Sequence, residues 1–321
     1  MARRGATEVG MGNRATRAVI ATGYTSQAYA ESLSEFGSPR LLPRSGGWIL
    51  ERDIDGFGLR DATGCYPLFC CQDWASLQAD LEEIRGLVSL AVVCDPFGEY
   101  DEEYLAKCFG NVVLPFKQHF VVDLSREPAE FVASHHRRNA RRAAREVSVE
   151  ECERPVELLN DWHALYQELI ARHGIEGLTT FSKRSFAQQL EVPGIVALRA
   201  VRDGATVGML LWYIQRDVAY YHLGAYSSAG YELKASFALF DFALGYFARR
   251  GVRWANLGGA PGARTGEASG LGRFKQGWST ETRTAYFCGR IFDAEKYDEI
   301  VRSKGIQRTT YFPAYRSGEF R

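Results

Sequence analysis

The chain has 321 residues, 46% apolar and 13% aromatic, enough material for one large core or two smaller ones. Its 39 basic and 39 acidic residues cancel, which excludes bulk attraction to nucleic acid or an anionic membrane and leaves only a local patch to supply it. Seven scattered cysteines, with no C-x-x-C pair, argue against a disulfide framework or a zinc site and for a reducing cytoplasm.

Residues 1–16 carry two early arginines but no apolar h-region, so they are not a secretory signal. They read as a disordered arm, with an organellar transit peptide as the alternative. No apolar run approaches the ~18 to 20 residues that a membrane-crossing helix needs. A first lobe is expected over 17–126. GGWILERDI and GLRDATGCYPLFCC read as paired strands turning at Asp55-Gly56. Trp74 to Arg85 has helical apolar spacing, LVSLAVVCDP is a buried strand, and Tyr100 to Phe109 is a short acidic helix. VVLPFKQHFVVDL is a long strand in which Pro115 implies an edge or a bulge. His119 alternates with apolar neighbours there and is read as structural. Nothing in this lobe looks like a catalytic cluster.

A second lobe spans 127–292, followed by a helix and an aromatic-rich tail over 293–321. It begins with a helix from Pro128 to Arg145, whose HHRRNARRAARE sets Arg137, Arg138, Arg141, Arg142 and Arg145 at helical spacing. Such a face is either solvated and paired with Glu150, Glu151 and Glu153, or a dock for phosphates, which guanidinium forks match bidentately. A strand (EVSVEEC), helices over Val156–His173 and Ser182–Leu190, and a three-strand meander follow. The meander turns at Asp203-Gly204 and at Gln215–Asp217 and ends in VAYYHLGAY. A turn-like SSAG leads to a helix over Leu233–Phe247, then to the strand VRWANLGGA and to GLGRFKQGW. A strand-helix-strand unit opening on a glycine-rich mouth is where open α/β sheets place chemistry. The expected class is α/β, more narrowly an α+β mixed sheet. The tail segment YFPAYR is expected to pack on the surface, with lining of the cleft as the alternative.

The order of these segments resembles the GNAT acyltransferase superfamily, and more narrowly its Fem-type aminoacyltransferase branch. The resemblance rests on the arginine helix, YYHLGAY, the A-S-x-A-L-F-x-x-A helix from Ala235 to Ala243, WANLGG, and GLGRFKQGW followed by TAYFCG. It covers roughly 127–292 as a catalytic lobe, and Fem-type proteins carry two GNAT-like lobes in tandem. It implies that VAYYHLGAY and VRWANLGG part, exposing backbone amides to the carbonyl under attack, with Gly224, Gly258 and Gly259 letting a ligand approach the backbone. Lys275 matches the lysine of the Fem-type F-K motif, which implies that its ammonium stabilises negative charge at the reacting carbonyl or on a phosphate. Phe274 and Arg273 beside it, and Tyr226, are substrate-binding candidates, and Arg264 is a further anion anchor. His222 is a candidate base, having a pKa near 6.5 when unperturbed, with a core histidine bonded to a backbone carbonyl as the alternative, and Tyr221 could supply a phenol for the same task.

The chain departs from acyl-CoA-dependent relatives at SSAGYELKAS, which lacks the glycine-rich turn that cradles a pyrophosphate. Fem-type enzymes take their acyl group from aminoacyl-tRNA, so the expected function is aminoacyl transfer to an amine. The acceptor would be a peptidoglycan precursor or a small-molecule or natural-product amine. No metal or resident cofactor is expected, and the arginine patch would meet the tRNA acceptor end. Acyl-CoA is the alternative donor, and a non-catalytic GNAT-like binding module is the alternative class. The absence of a nucleophile-base arrangement points to direct transfer.

Overall fold

The computed structural model describes residues 20–174, 180–260, 270–307 and 309–319. It opens with helix α1 (Gln27–Ser32), capped by Ser26, whose hydroxyl accepts from the Tyr29 amide. Strands β1 (Ser38–Leu42), β2 (Gly47–Ile54) and β3 (Leu59–Gly64) then form an antiparallel meander. The β2–β3 turn falls at Asp55-Gly56, where Gly56 takes φ +83°. Strand β3 stops at Gly64, short of the expected run, and only Phe69 rejoins the sheet, in a bridge to Cys94. Helix α2 (Leu77–Glu83), β4 (Ser89–Val93), α3 (Glu102–Phe109) and β5 (Val112–Asp123) follow.

The helix expected over Pro128–Arg145 is broken into α4 (Pro128–Phe131) and α5 (Ser134–Ala143). Between them Val132 and Ala133 are extended, and Val132 is buried. Then come β6 (Ser148–Cys152), α6 (Leu159–His173), α7 (Lys183–Gln189), β7 (Ile195–Arg202), β8 (Ala205–Gln215) and β9 (Val218–Tyr226). Asp203 and Gly204 both have positive φ, 50° and 79°, as a tight hairpin of this hand requires. SSAG is the start of a short helix, α8 (Ser228–Glu232), rather than a plain turn. Helix α9 (Ala235–Arg249), β10 (Trp254–Gly259), α10 (Gly270–Gln276), β11 (Glu281–Ile291) and α11 (Ala294–Ser303) complete the elements.

Among the described residues, eleven strands share one mixed sheet in the order β1-β2-β3-β4-β11-β5-β10-β9-β8-β7-β6. Strands from both expected lobes therefore stand in one sheet, with β5 between β11 and β10. Strand β11, late in the chain, pairs antiparallel with both β4 and β5 inside the first half of the sheet. Around β7–β9, Trp162, Tyr166 and Phe186 of α6 and α7 pack with Tyr213 and Tyr220 in one buried cluster. Leu239, Phe240 and Phe247 of α9 pack with Trp212 and Trp278 in another. Burying each such side chain contributes about 2 kcal/mol, and together these layers hold the central strands rigid. None of the seven cysteines forms a disulfide. Among the described residues, no helix is long and apolar enough to cross a membrane.

Candidate active site

Strands β9 and β10 run parallel but pair only at Val218↔Trp254, Ala219↔Ala255 and Tyr220↔Asn256. Beyond Tyr220 and Asn256 they diverge. Strand β9 stays on β8, while β10 swings towards β5 and meets it at Gly259↔His119. Two irregularities shape the gap. The register of β9 on β8 slips between Leu211 and Trp212, which makes His222 the extra residue of a bulge. The register of β10 on β5 slips between Asn256 and Gly259. There Gly258 adopts φ +77°, which only glycine takes readily, and its amide donates to Asn256 Oδ1 at 2.9 Å.

Into this gap α10 sends Lys275. The side chain is buried, and its Nζ donates to the Gly259 carbonyl at 2.8 Å and lies 5.7 Å from the centre of the Tyr221 ring. A Cβ on Gly258 would stand 3.2 Å from that nitrogen, so the glycine lets the ammonium rest against the backbone. Burial, and next the charge of Lys117, pull Lys275 down to about 7. Lys117 comes from β5, and burial lowers its own pKa. Its stem runs past Gly259, where a Cβ would meet Lys117 Cδ at 3.1 Å. His119, two residues along, donates from Nδ1 to Asn256 Oδ1 at 3.1 Å. Burial holds it down to about 4, so it stays neutral.

These groups line a cleft of about 1150 Å³ that crosses the sheet from the β9–β10 gap over β5. Its far wall includes Tyr311, Phe312 and Arg316, so the tail lines the cleft rather than only packing on the surface. Arg316 anchors it through two 2.9 Å hydrogen bonds from its guanidinium to the carboxylate of fully buried Asp61.

Of the residues expected at the site, Lys275, Tyr221, His222, Gly258 and Gly259 are in the cleft wall. His222, however, is not arranged as a base. Its Nδ1 accepts from the Tyr24 hydroxyl and its Nε2 donates to Gln189 Oε1, both at 3.1 Å. Burial pushes it down to about 3, so at neutral pH it holds the buried network together and takes up no proton. Tyr221 is raised by burial and keeps its phenol proton. Four other candidates lie outside the cleft wall. Gly224 makes room for the Tyr221 hydroxyl, which occupies the place of a Cβ. Tyr226 covers Gly208 and packs edge-on to Tyr231. The Phe274 ring is turned away, against His136, Phe237 and Phe240. Arg273 is exposed on the outer side of α10. Arg264 lies outside the described residues.

The arginines of α5 do not reach the cleft either, yet their helix is tied to it. His136 donates from Nε2 to the Phe274 carbonyl at 2.9 Å, so α5 is fastened to α10 one residue from Lys275. Arg137 turns back to bond the Ala129 carbonyl. Arg138, Arg142 and Arg145 are exposed, with no hydrogen-bond or ion-pair partner among the described residues. Residues 141–145 were also expected on this helix, but α5 ends at Ala143, and Arg145 follows its last turn.

His119, read as structural, proves to be part of the cleft, and Lys117 and Asn256 were not singled out at all. The signals were faint but present. Pro115 marked the irregular stretch that aims Lys117, and Asn256 is a polar residue in a buried strand, one residue before two glycines.

Residues 132–275 match the family model of the acetyltransferase (GNAT) domain. No curated protein matches the sequence. Among solved structures the fold is shared with FemX, at TM-score 0.65 and 14% identity over 85% of this chain and 93% of that one. It is also shared with L-PGS from Bacillus licheniformis, at TM-score 0.58 and 15% identity over 90% and 99%. A third likeness is to the C-terminal domain (DUF2156) of a putative lysylphosphatidylglycerol synthetase from Agrobacterium fabrum, at TM-score 0.56 and 16% identity over 88% and 92%. At these identities the structures show the common fold, and the match to the acetyltransferase (GNAT) domain falls on residues 132–275 within it.

Proposed function

We propose that this GNAT acyltransferase makes an amide by moving an aminoacyl group from aminoacyl-tRNA to an amine acceptor. One observation carries the reading: the buried Lys275 ammonium rests on the Gly258–Gly259 backbone where β9 and β10 part. An ester carbonyl entering that gap meets a desolvated cation and backbone groups that no β9–β10 ladder uses. The neutral acceptor amine attacks, a C–N bond forms, and the carbonyl π pair moves onto oxygen as an oxyanion. Lys275 stabilises that charge, an effect worth about 2.7–4 kcal/mol for a single well-placed donor. Collapse of the adduct breaks the C–O bond to the ribose, whose oxygen leaves with the electron pair and takes up a proton, while the nitrogen sheds one. Bulk water, or Lys275 itself with its pKa near 7, can exchange those protons.

Two further features support a tRNA donor over acyl-CoA. The helix after β9 uses its Gly230 amide internally, donating to Ser227 Oγ at 3.1 Å, and Gly230 lies so close to strand β8 that a Cβ there would stand 2.0 Å from the Val207 carbonyl oxygen. Unpaired arginines on α5 meanwhile offer phosphate contacts on the helix fastened to α10. A structural neighbour named as a lysylphosphatidylglycerol synthetase is in keeping with an aminoacyl donor. The acceptor belongs to the amines that fit a 1150 Å³ cleft, a peptidoglycan precursor or a small-molecule amine among them. The test is to incubate the protein and an amine-containing extract with charged tRNA pools and, separately, with acyl-CoAs, and to search for a new amide by mass. An amide formed only from acyl-CoA would overturn the donor assignment.

A further inference from the structure

Two lysines, Lys117 and Lys275, share one wall of the cleft. Lys117 and Lys275 flank the same dipeptide: the Lys117 stem lies on Gly259, and the Lys275 ammonium bonds the Gly259 carbonyl beside Gly258. Burial and then the Lys117 charge lower the pKa of Lys275, burial lowers that of Lys117, and His119 next to them is held neutral. No carboxylate pairs with either lysine among the described residues. Lys117 Nζ lies 5.3 Å from the centroid of the Phe116 ring, and among the described residues it makes no hydrogen bond or ion pair. Like charges brought together and partly desolvated are unfavourable in the empty cleft. A bound anion removes that penalty.

We propose that Lys117 is a substrate-binding residue that anchors a phosphate ester beside the carbonyl held by Lys275. Given the aminoacyl-tRNA reading above, on which this assignment of source rests, the phosphate is the one linking the acylated terminal nucleoside to the rest of the RNA. That phosphodiester stands only a few bonds from the reacting ester, within the span of two neighbouring lysines. In a CoA thioester the whole pantetheine arm separates the carbonyl from the nearest phosphate, which places it beyond that span. Lysine suits the task as a compact point charge with three donors. An apolar rim of Leu114 and Phe116, exposed on either side of Pro115, then borders the anion site.

The test follows lysine protection in the full chain. Trace acetylation with acetic anhydride is quantified at Lys117 and Lys275 by peptide mass spectrometry, with adenosine, adenosine 5′-methylphosphate or coenzyme A present. The proposal expects adenosine 5′-methylphosphate to protect Lys117 at least about fivefold where adenosine does not, in line with a charge-assisted contact. Calorimetry should then show that Lys117→Met weakens its binding about tenfold or more, while Lys117→Arg retains it. Protection by coenzyme A alone would support the phosphate site and remove the tRNA source. Equal labelling with all three compounds, or calorimetric binding of adenosine 5′-methylphosphate unchanged by Lys117→Met, would overturn the proposal even if aminoacyl transfer from tRNA is observed.

Discussion

Replacing Lys275 by methionine should make the protein more stable at pH 6 and inactive in transfer. Lys275 titrates near 7 in the folded chain, against an ordinary 10.5, because burial and then the Lys117 charge disfavour its ammonium. That difference corresponds to about 5 kcal/mol, which the folded state gives up to keep the group charged. Methionine has a similar length and no charge to desolvate, but it forfeits the hydrogen bond to the Gly259 carbonyl, worth about 1.5–3 kcal/mol for a charged donor. A net gain of about 2–3 kcal/mol is therefore expected below pH 7. The sign with pH is fixed by proton counting. Between about 7 and 10.5 the unfolded lysine binds a proton that the folded one has lost, so wild-type stability rises with pH by up to about 1.4 kcal/mol per unit from this group. The penalty is complete below 7 and gone above 10.5. The advantage of the methionine variant must shrink accordingly, by roughly 2–3 kcal/mol between pH 7 and pH 9. Urea unfolding of both proteins at pH 6, 7, 8 and 9 measures it. A variant less stable than wild type at pH 6, or a difference that does not change with pH, would refute the picture of a strained, buried cation.

Gly258→Ala puts a side chain at φ +77° and a methyl 3.2 Å from Lys275 Nζ. It should cost about 1–2 kcal/mol in denaturant unfolding and lower the transfer rate about tenfold by displacing the ammonium. His222→Phe strands the Tyr24 hydroxyl and the Gln189 side chain in the core, so unfolding should show a loss of about 2–4 kcal/mol. Because His222 stays neutral, the pH profile of any remaining transfer should keep its shape; loss of an ionisation near 6.5 would restore the base assignment. Arg138→Ala with Arg142→Ala should weaken tRNA binding and flatten the plot of log affinity against log salt by about 1.5, the release expected from two phosphate contacts. An unchanged slope would leave these arginines as a solvated face.

Much of this architecture was legible because local rules decided it. The meander, the Asp203-Gly204 hairpin, the α9 helix and the strand ending in two glycines follow from residue period and turn chemistry alone, and each stands where the pattern put it. The ordered set also identified Lys275, whose burial confirms that it is not a surface lysine. What failed depended on distant partners. His222 has the residue type of a base, but burial sets its basicity, and the partners that hold it there, Tyr24 and Gln189, are 198 and 33 residues away. Phe274 flanks the lysine in sequence, yet helical geometry sends its ring to the opposite side, against α5 and α9. Lys117 and His119 lie in a strand with no motif, and they join the site only because β5 is central and meets β10 at Gly259. The insertion of β11 between β4 and β5 is likewise a long-range pairing, invisible to any local period.

The most direct trial of the account is single-turnover transfer from aminoacyl-tRNA to an amine acceptor, comparing wild type with Lys275→Met under saturating tRNA. Loss of the oxyanion-stabilising cation predicts a rate at least about 10²-fold lower, with tRNA affinity changed by less than about tenfold. Transfer by the methionine variant at the wild-type rate would contradict the claim that chemistry happens where β9 and β10 separate around that ammonium.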